Sequence, residues 1–165
     1  MIVSMIKCLQ KVINDFSEVI RSTAANPASE HLLQVRDKKD GKLLTEEQAQ
    51  HFHHNVVQIL FLFMIARPDI KPLVSFLTTI VRSPDEDDWG KLKQGLKYLK
   101  GTLYMNLYLI ADALNVVRWS VDASYGTHWY CRSHTGAVMS MGKGTILSFS
   151  RKKNQNLNTA SSTEA

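Results

Sequence analysis

The chain is poor in the features that mark several protein classes. It has 2 cysteines in 165 residues, Cys8 and Cys131. They lie far apart and form no CxxC pair. That excludes a cysteine-built zinc site and a disulfide framework, and leaves two free thiols suited to a reducing compartment. Long hydrophobic runs are lacking too. The longest, Val56 to Ala66, is broken by Gln58, and a bilayer span needs roughly 20 apolar residues. The opening MIVSMIKCLQKVINDF carries Lys7, Lys11 and Asp15 at helical spacing, so the unbroken apolar segment of a signal peptide is missing. Internal repeats and low-complexity segments are also absent. These absences predict a soluble intracellular protein, cytoplasmic or nuclear, with no membrane partner.

What is present can fold. A hydrophobic content of 44% is enough to bury a core. The net charge of +5 is compatible with a phosphate-backbone partner but does not require one.

The first hundred residues read as helices. Ser4 is placed to cap a first helix whose apolar face is Met5, Leu9, Val12, Ile13 and Phe16. Residues 17–41 are polar and read as a loop. Thr45 opens a second helix with Gln48 three residues on, a capping box. Its apolar stripe is Phe52, Val56, Ile59, Leu60 and Phe63, and Pro68 ends it. Pro72 begins a third helix, Leu73 to Val81, apolar nearly all round. Ser83-Pro84-Asp85-Glu86 reads as a fourth start, with Ser83 as cap and Pro84 as the first helical residue. Trp89, Leu92, Leu96 and Leu99 line its inner face, and Gly101 suits its end.

After Gly101 the period changes from helical to alternating. Leu103 to Leu109, Val117 to Asp122, His134 to Met141 and Thr145 to Ser150 read as strands. Gly142-Lys143-Gly144 is a hairpin signal between the last two. Ser161-Ser162-Thr163-Glu164 reads as a helix start.

Seven segments carry a family resemblance. Met5 through Phe16 resembles the pattern "YI.KIL..F", and Ala66-Arg67-Pro68-Asp69-Ile70 resembles "TRPDI". Asp88-Trp89 with Leu96-Lys97-Tyr98-Leu99-Lys100-Gly101-Thr102 resembles "HW…LRYLKGT". Asp122-Ala123-Ser124-Tyr125 resembles "DADW", and Arg132-Ser133-His134-Thr135-Gly136 resembles "RSTTG". Ser148-Phe149-Ser150-Arg151-Lys152 resembles "SWKSKKQ", and Ser161-Ser162-Thr163-Glu164-Ala165 resembles "SSTEAE". In this order they resemble the copia-type retrotransposon polyprotein, from the end of its reverse transcriptase into its RNase H domain. The resemblance implies an α+β fold: a helical thumb/connection segment over residues 1–110, then a truncated RNase H-like mixed β-sheet over 111–165. It implies about three antiparallel strands, one further strand from Leu103 to Leu109, an unpaired edge and an uncovered face.

The resemblance also implies chemistry. RNase H hydrolyses the RNA of an RNA–DNA hybrid, with two divalent ions activating water and stabilising the leaving oxygen. Mg²⁺ wants hard oxygen ligands, hence a carboxylate cluster. Asp122 and Glu164 match the first two catalytic, metal-binding positions. Read without the family, Asp122 is a strand-end acid and Glu164 an exposed first-turn acid. The sequence departs from the family in three ways. The polymerase's paired aspartates have no counterpart, Ser124 replaces the second acid of "DADW", and Arg151 to Leu157 is longer and more basic than the family's "KKQ" run; the acids after "SSTEAE" also have no counterpart. The expectation is a chain without nuclease activity alone, holding no Mg²⁺ tightly, with weak binding of nucleic acid or self-association.

Lys91, Lys93, Lys97 and Lys100, with Arg151, Lys152 and Lys153, form a basic band. In the parent family such a surface faces the template–primer; read alone, it is a solvated face. His51 and His54 are one turn apart beside His53, but nothing on that face completes a metal set. A solvated helix surface is the simpler reading, with a histidine-built zinc regulator as the alternative. Trp89, Trp119 and Trp129 read as core or rim. A competing function is a protein-interaction module built on the apolar stripes of residues 45–100.

Overall fold

In this computed structural model, residues 1–28, 32, 42–112, 115–128 and 132–152 are described. The protein is α+β. Among the described residues there are four α-helices, α1 (Ile6–Asp15), α2 (Glu46–Ile65), α3 (Lys71–Ile80) and α4 (Glu86–Gly101), and seven strands, β1 (Ile2–Val3), β2 (Leu107–Tyr108), β3 (Ile110–Ala111), β4 (Arg118–His128), β5 (Arg132–Ser140), β6 (Gly142–Lys143) and β7 (Leu147–Lys152). The chain divides into two compact units, the helices in one and the described residues from Tyr108 onward in the other.

The helical unit owes its stability to a dry apolar centre. Leu9, Phe52, Val56, Ile59, Leu62, Leu73, Leu77, Leu92, Leu96 and Leu99 are all essentially inaccessible, which is the main favourable term in folding. Trp89 closes one margin, its ring stacked on Phe16 with centroids 5.0 Å apart. Its indole Nε1 donates to Glu18 at 2.7 Å. Helices α3 and α4 approach closely at Gly95, where a Cβ would fall 2.2 Å from Leu73 Cδ2. Helix α3 buries Leu73, Val74, Phe76 and Leu77 but exposes Pro72, Thr78 and Thr79, so it is amphipathic rather than apolar all round.

The helix starts separate the sequence signals that act from those that do not. Thr45 and Gln48 form the expected capping box on α2. Ser4 does not cap α1; Met5 is at the cap position and no side chain bonds there. The start of α4 lies two residues later than expected. Asp85 is the cap and forms a reciprocal box with Asp88, and Pro84 precedes the helix. An aspartate that accepts from the third backbone N–H, at 2.9 Å, wins over Ser83 because its carboxylate also faces the positive helix end. Backbone bonds from Glu86 to Lys42 and from Leu44 to Pro84 tie this start to the segment preceding α2.

The sheet unit is antiparallel in each pairing described for it. Strands β4, β5 and β7 form a sheet in that order, so the mixed sheet expected from the sequence is not what these residues build. Tight hairpins favour antiparallel neighbours. The hairpin at Gly142-Lys143-Gly144 joins β5 to β7, and Met139 pairs with Leu147. Its tip carries β6, which pairs with β3: Ile110 faces Lys143 and Ala111 faces Gly142. The strand expected at 103–109 is thereby replaced by shorter pieces, β2 and β3. Gly144 has φ of 89°, and a Cβ there would lie 1.8 Å from the Tyr108 carbonyl oxygen. Only glycine allows that approach.

Candidate functional site

The register of the sheet aligns three of the sequence motifs. Asp122 pairs with Gly136, and Gly136 with Ser150. Ala123, Thr135 and Arg151 form the next row, and Ser124, His134 and Lys152 the row after it. Residues of the segments that resemble "DADW", "RSTTG" and "SWKSKKQ" therefore lie side by side.

Asp122 is exposed on β4, opposite a glycine that has no side chain to cover it. Four rows away, Arg118 Nη1 is 2.8 Å from Asp112 Oδ2. Glu164 and Lys153 lie outside the described residues, as do the Ser161 helix start and Trp129. Arg151 and Lys152 belong to β7. Of the two expected Mg²⁺ ligands, Asp122 alone is among the described residues; Mg²⁺ needs several hard oxygen ligands.

The expected band on α4 is largely engaged within the helical unit. Lys91 is buried; its ammonium is 3.0 Å from Asp87 Oδ2 and 3.5 Å from Asp88 Oδ1, and 4.5 Å from the Phe76 ring centre. Asp85, Asp87 and Asp88 are the one group of three metal-ligating types that converges among the described residues. Lys91 already supplies that group with a cation. Burial pushes the Asp88 carboxyl up, against the bond that it accepts from the Asp85 N–H. Lys93 pairs with Glu18, whose carboxyl is lowered first by that bond and then by the Trp89 indole. Lys100 donates to the Ile20 carbonyl. Lys97 is half-exposed. His51, His53 and His54 all stand exposed on α2.

A site of another kind joins two motifs whose shared role the sequence did not reveal. Arg67 is only 1% exposed. Its Nε and Nη2 donate to Asp69 at 3.0 and 2.7 Å, a forked pairing. Nη2 also donates to Thr102 Oγ1 at 2.6 Å, and Nη1 to the Thr102 carbonyl at 3.2 Å. Tyr98 completes the set: its hydroxyl donates to Asp69 Oδ2 at 2.9 Å. Burial pushes the Asp69 carboxyl up, but the Arg67 bond and charge and the Tyr98 hydroxyl outweigh it, so the carboxyl is held below its ordinary value. Burial and the Asp69 carboxylate push the Tyr98 hydroxyl up. With its hydrogen bonds made internally, this cluster is a structural clamp between the α2–α3 turn and the end of α4. Its sequence signal was Arg-Pro-Asp in one motif and Tyr-x₃-Thr in another, with nothing to say that they meet.

No family model matches the chain, and no solved structure matches it.

Proposed function

We propose that the chain is a segment of a copia-type retrotransposon polyprotein, the end of the reverse transcriptase joined to the start of RNase H. The observation that carries this reading is the row alignment of Asp122, Gly136 and Ser150. Three segments that carry the resemblance are adjacent strands in register, with the acid exposed on the outer strand of the described sheet. In this reading Asp122 and Glu164 occupy metal-ligand positions, and nucleic acid is the partner. Since Lys91, Lys93 and Lys100 are engaged internally, the run Arg151-Lys152-Lys153 is the better candidate for phosphate contact. Gel shift of an RNA–DNA hybrid across salt concentrations tests it. Three phosphate contacts give a log–log salt slope of about −3, reduced when the run is replaced by glutamine. No hybrid cleavage is expected with Mg²⁺ or Mn²⁺. Salt-independent or undetectable binding would sink the nucleic-acid reading, and cleavage lost in Asp122→Asn would overturn the expected inactivity.

One observation favours a second reading, a protein-interaction module. Val57, Phe61 and Met64 form an exposed apolar stripe along α2, with Phe61 54% and Met64 72% accessible. Such a stripe at one-turn spacing is how a helix presents itself to a groove or another helix. Cross-linking from position 61 to a protein, with no hybrid shift, would favour this reading over the first.

A further inference from the structure

Among the described residues strand β4 is an edge of the three-stranded sheet, and its sequence is complementary to itself. From Arg118 to Ser124 its ladder with β5 is regular, and the register slips only beyond Ser124. Edge strands in soluble proteins are normally guarded by charged side chains, lysine above all, by proline or by a bulge. Between Arg118 and Ala123 β4 has no proline, lysine or bulge, and its two charges, Arg118 and Asp122, are of opposite sign. The opposite edge, β7, carries Arg151 and Lys152. Trp119 and Val121, on the apolar face of β4, are 52% and 58% accessible.

We propose that two copies of this chain associate through β4, antiparallel, about a two-fold axis at Ser120. That axis sets Arg118 opposite Asp122 of the second copy and Asp122 opposite Arg118 of the second copy. It also sets Trp119 opposite Val121 in both halves. Opposite charges and aromatic–β-branched neighbours are the favourable cross-strand pairs, and like charges directly opposite are unfavourable. Moving the axis one residue either way loses both ion pairs: centred on Val121, it sets Asp122 opposite Ser120 and Arg118 opposite Ser124; centred on Trp119, it sets Arg118 opposite Ser120 and Asp122 opposite Val116. The charges therefore select one register as well as favouring contact. The bond between Arg118 and Asp112 uses only one of the five N–H groups of the guanidinium. The same side chain can hold Asp112 and reach across.

Sedimentation equilibrium on the full chain tests this. The unaltered protein is expected to be a concentration-dependent dimer. Arg118→Asp and Asp122→Arg each place like charges opposite one another in a homodimer, so each weakens self-association by about tenfold or more. An equimolar mixture of the two variants restores both ion pairs and is expected to dimerise, as is the double swap in one chain. Circular dichroism checks that each variant is folded, and the double swap stands in for a single variant that is not. A monomer at all concentrations would overturn the proposal. So would a dimer indifferent to both reversals, or variants that neither the mixture nor the double swap restores.

Discussion

Arg67 shows what one residue can hold. A guanidinium with almost no solvent contact needs its charge answered, because an unpaired buried charge is costly. Asp69 and Thr102 answer it from two elements, taking four of its five N–H groups. Arg67→Ala would leave Asp69 half-buried with its cation gone. The expected loss is about 3–5 kcal/mol, read by urea denaturation. Arg67→Lys should lose much of the same amount, since one ammonium cannot reproduce the fork. The depressed Asp69 carboxyl adds a pH signature. Its stabilising contribution is fully present above the unfolded value of about 4 and disappears as pH falls through the lower folded value. Asp88 has the opposite sign, because its raised carboxyl adds stability as pH falls from its folded value toward its ordinary one. Asp69→Asn should therefore flatten the acid side of a melting-temperature profile, and an unchanged acid limb would remove the clamp from the explanation. Gly144→Ala should strongly destabilise the sheet unit, since its Cβ would meet the backbone oxygen of Tyr108.

At the scale of elements, the capping boxes separate chemistry from pattern. Thr45→Ala and Asp85→Ala are each expected to cost about 1 kcal/mol, whereas Ser4→Ala and Ser83→Ala should be close to neutral in the same assay. A loss at Ser83 equal to that at Asp85 would contradict the cap assignment. The helices were legible because their apolar periods run for ten residues or more and two of their starts carry acids or hydroxyls. The start of α4 was not, because Ser83 and Asp85 are both competent caps; the reciprocal box with Asp88 and the backbone bonds to Lys42 and Pro84 go with Asp85. The segment 103–109 misled for a different reason. Alternating apolar residues permit a strand, but a strand also needs a partner, and β6 offers only two residues, taken by Ile110 and Ala111.

For the molecule as a whole, the two units differ in how much apolar surface they hide. The helical unit has a dry centre. Among the described residues of the sheet unit Ala137 is the one buried apolar residue, while Trp119, Val121 and Leu147 stay about half accessible. Hydrogen exchange should therefore be slow in α2 and α4 and faster in β4; equal protection would contradict this. Among the described residues no helix is long and apolar enough to cross a membrane. The strand that carries Asp122 was legible from the run Val117 to Asp122, but the engagement of the α4 lysines was not. A lysine count does not reveal that Glu18, Asp87 and the Ile20 carbonyl stand within reach. The clamp also has a consequence in time. Thr102 lies 35 residues after Arg67, so at about 5–20 residues per second the ribosome delivers it roughly two to seven seconds later. During that interval the nascent chain holds a guanidinium answered only by Asp69, and α2 lacks the α4 leucines that cover it. The helical unit is thus completed by its last helix, and a pause in translation before codon 102 would prolong the stage at which chaperones have most to bind.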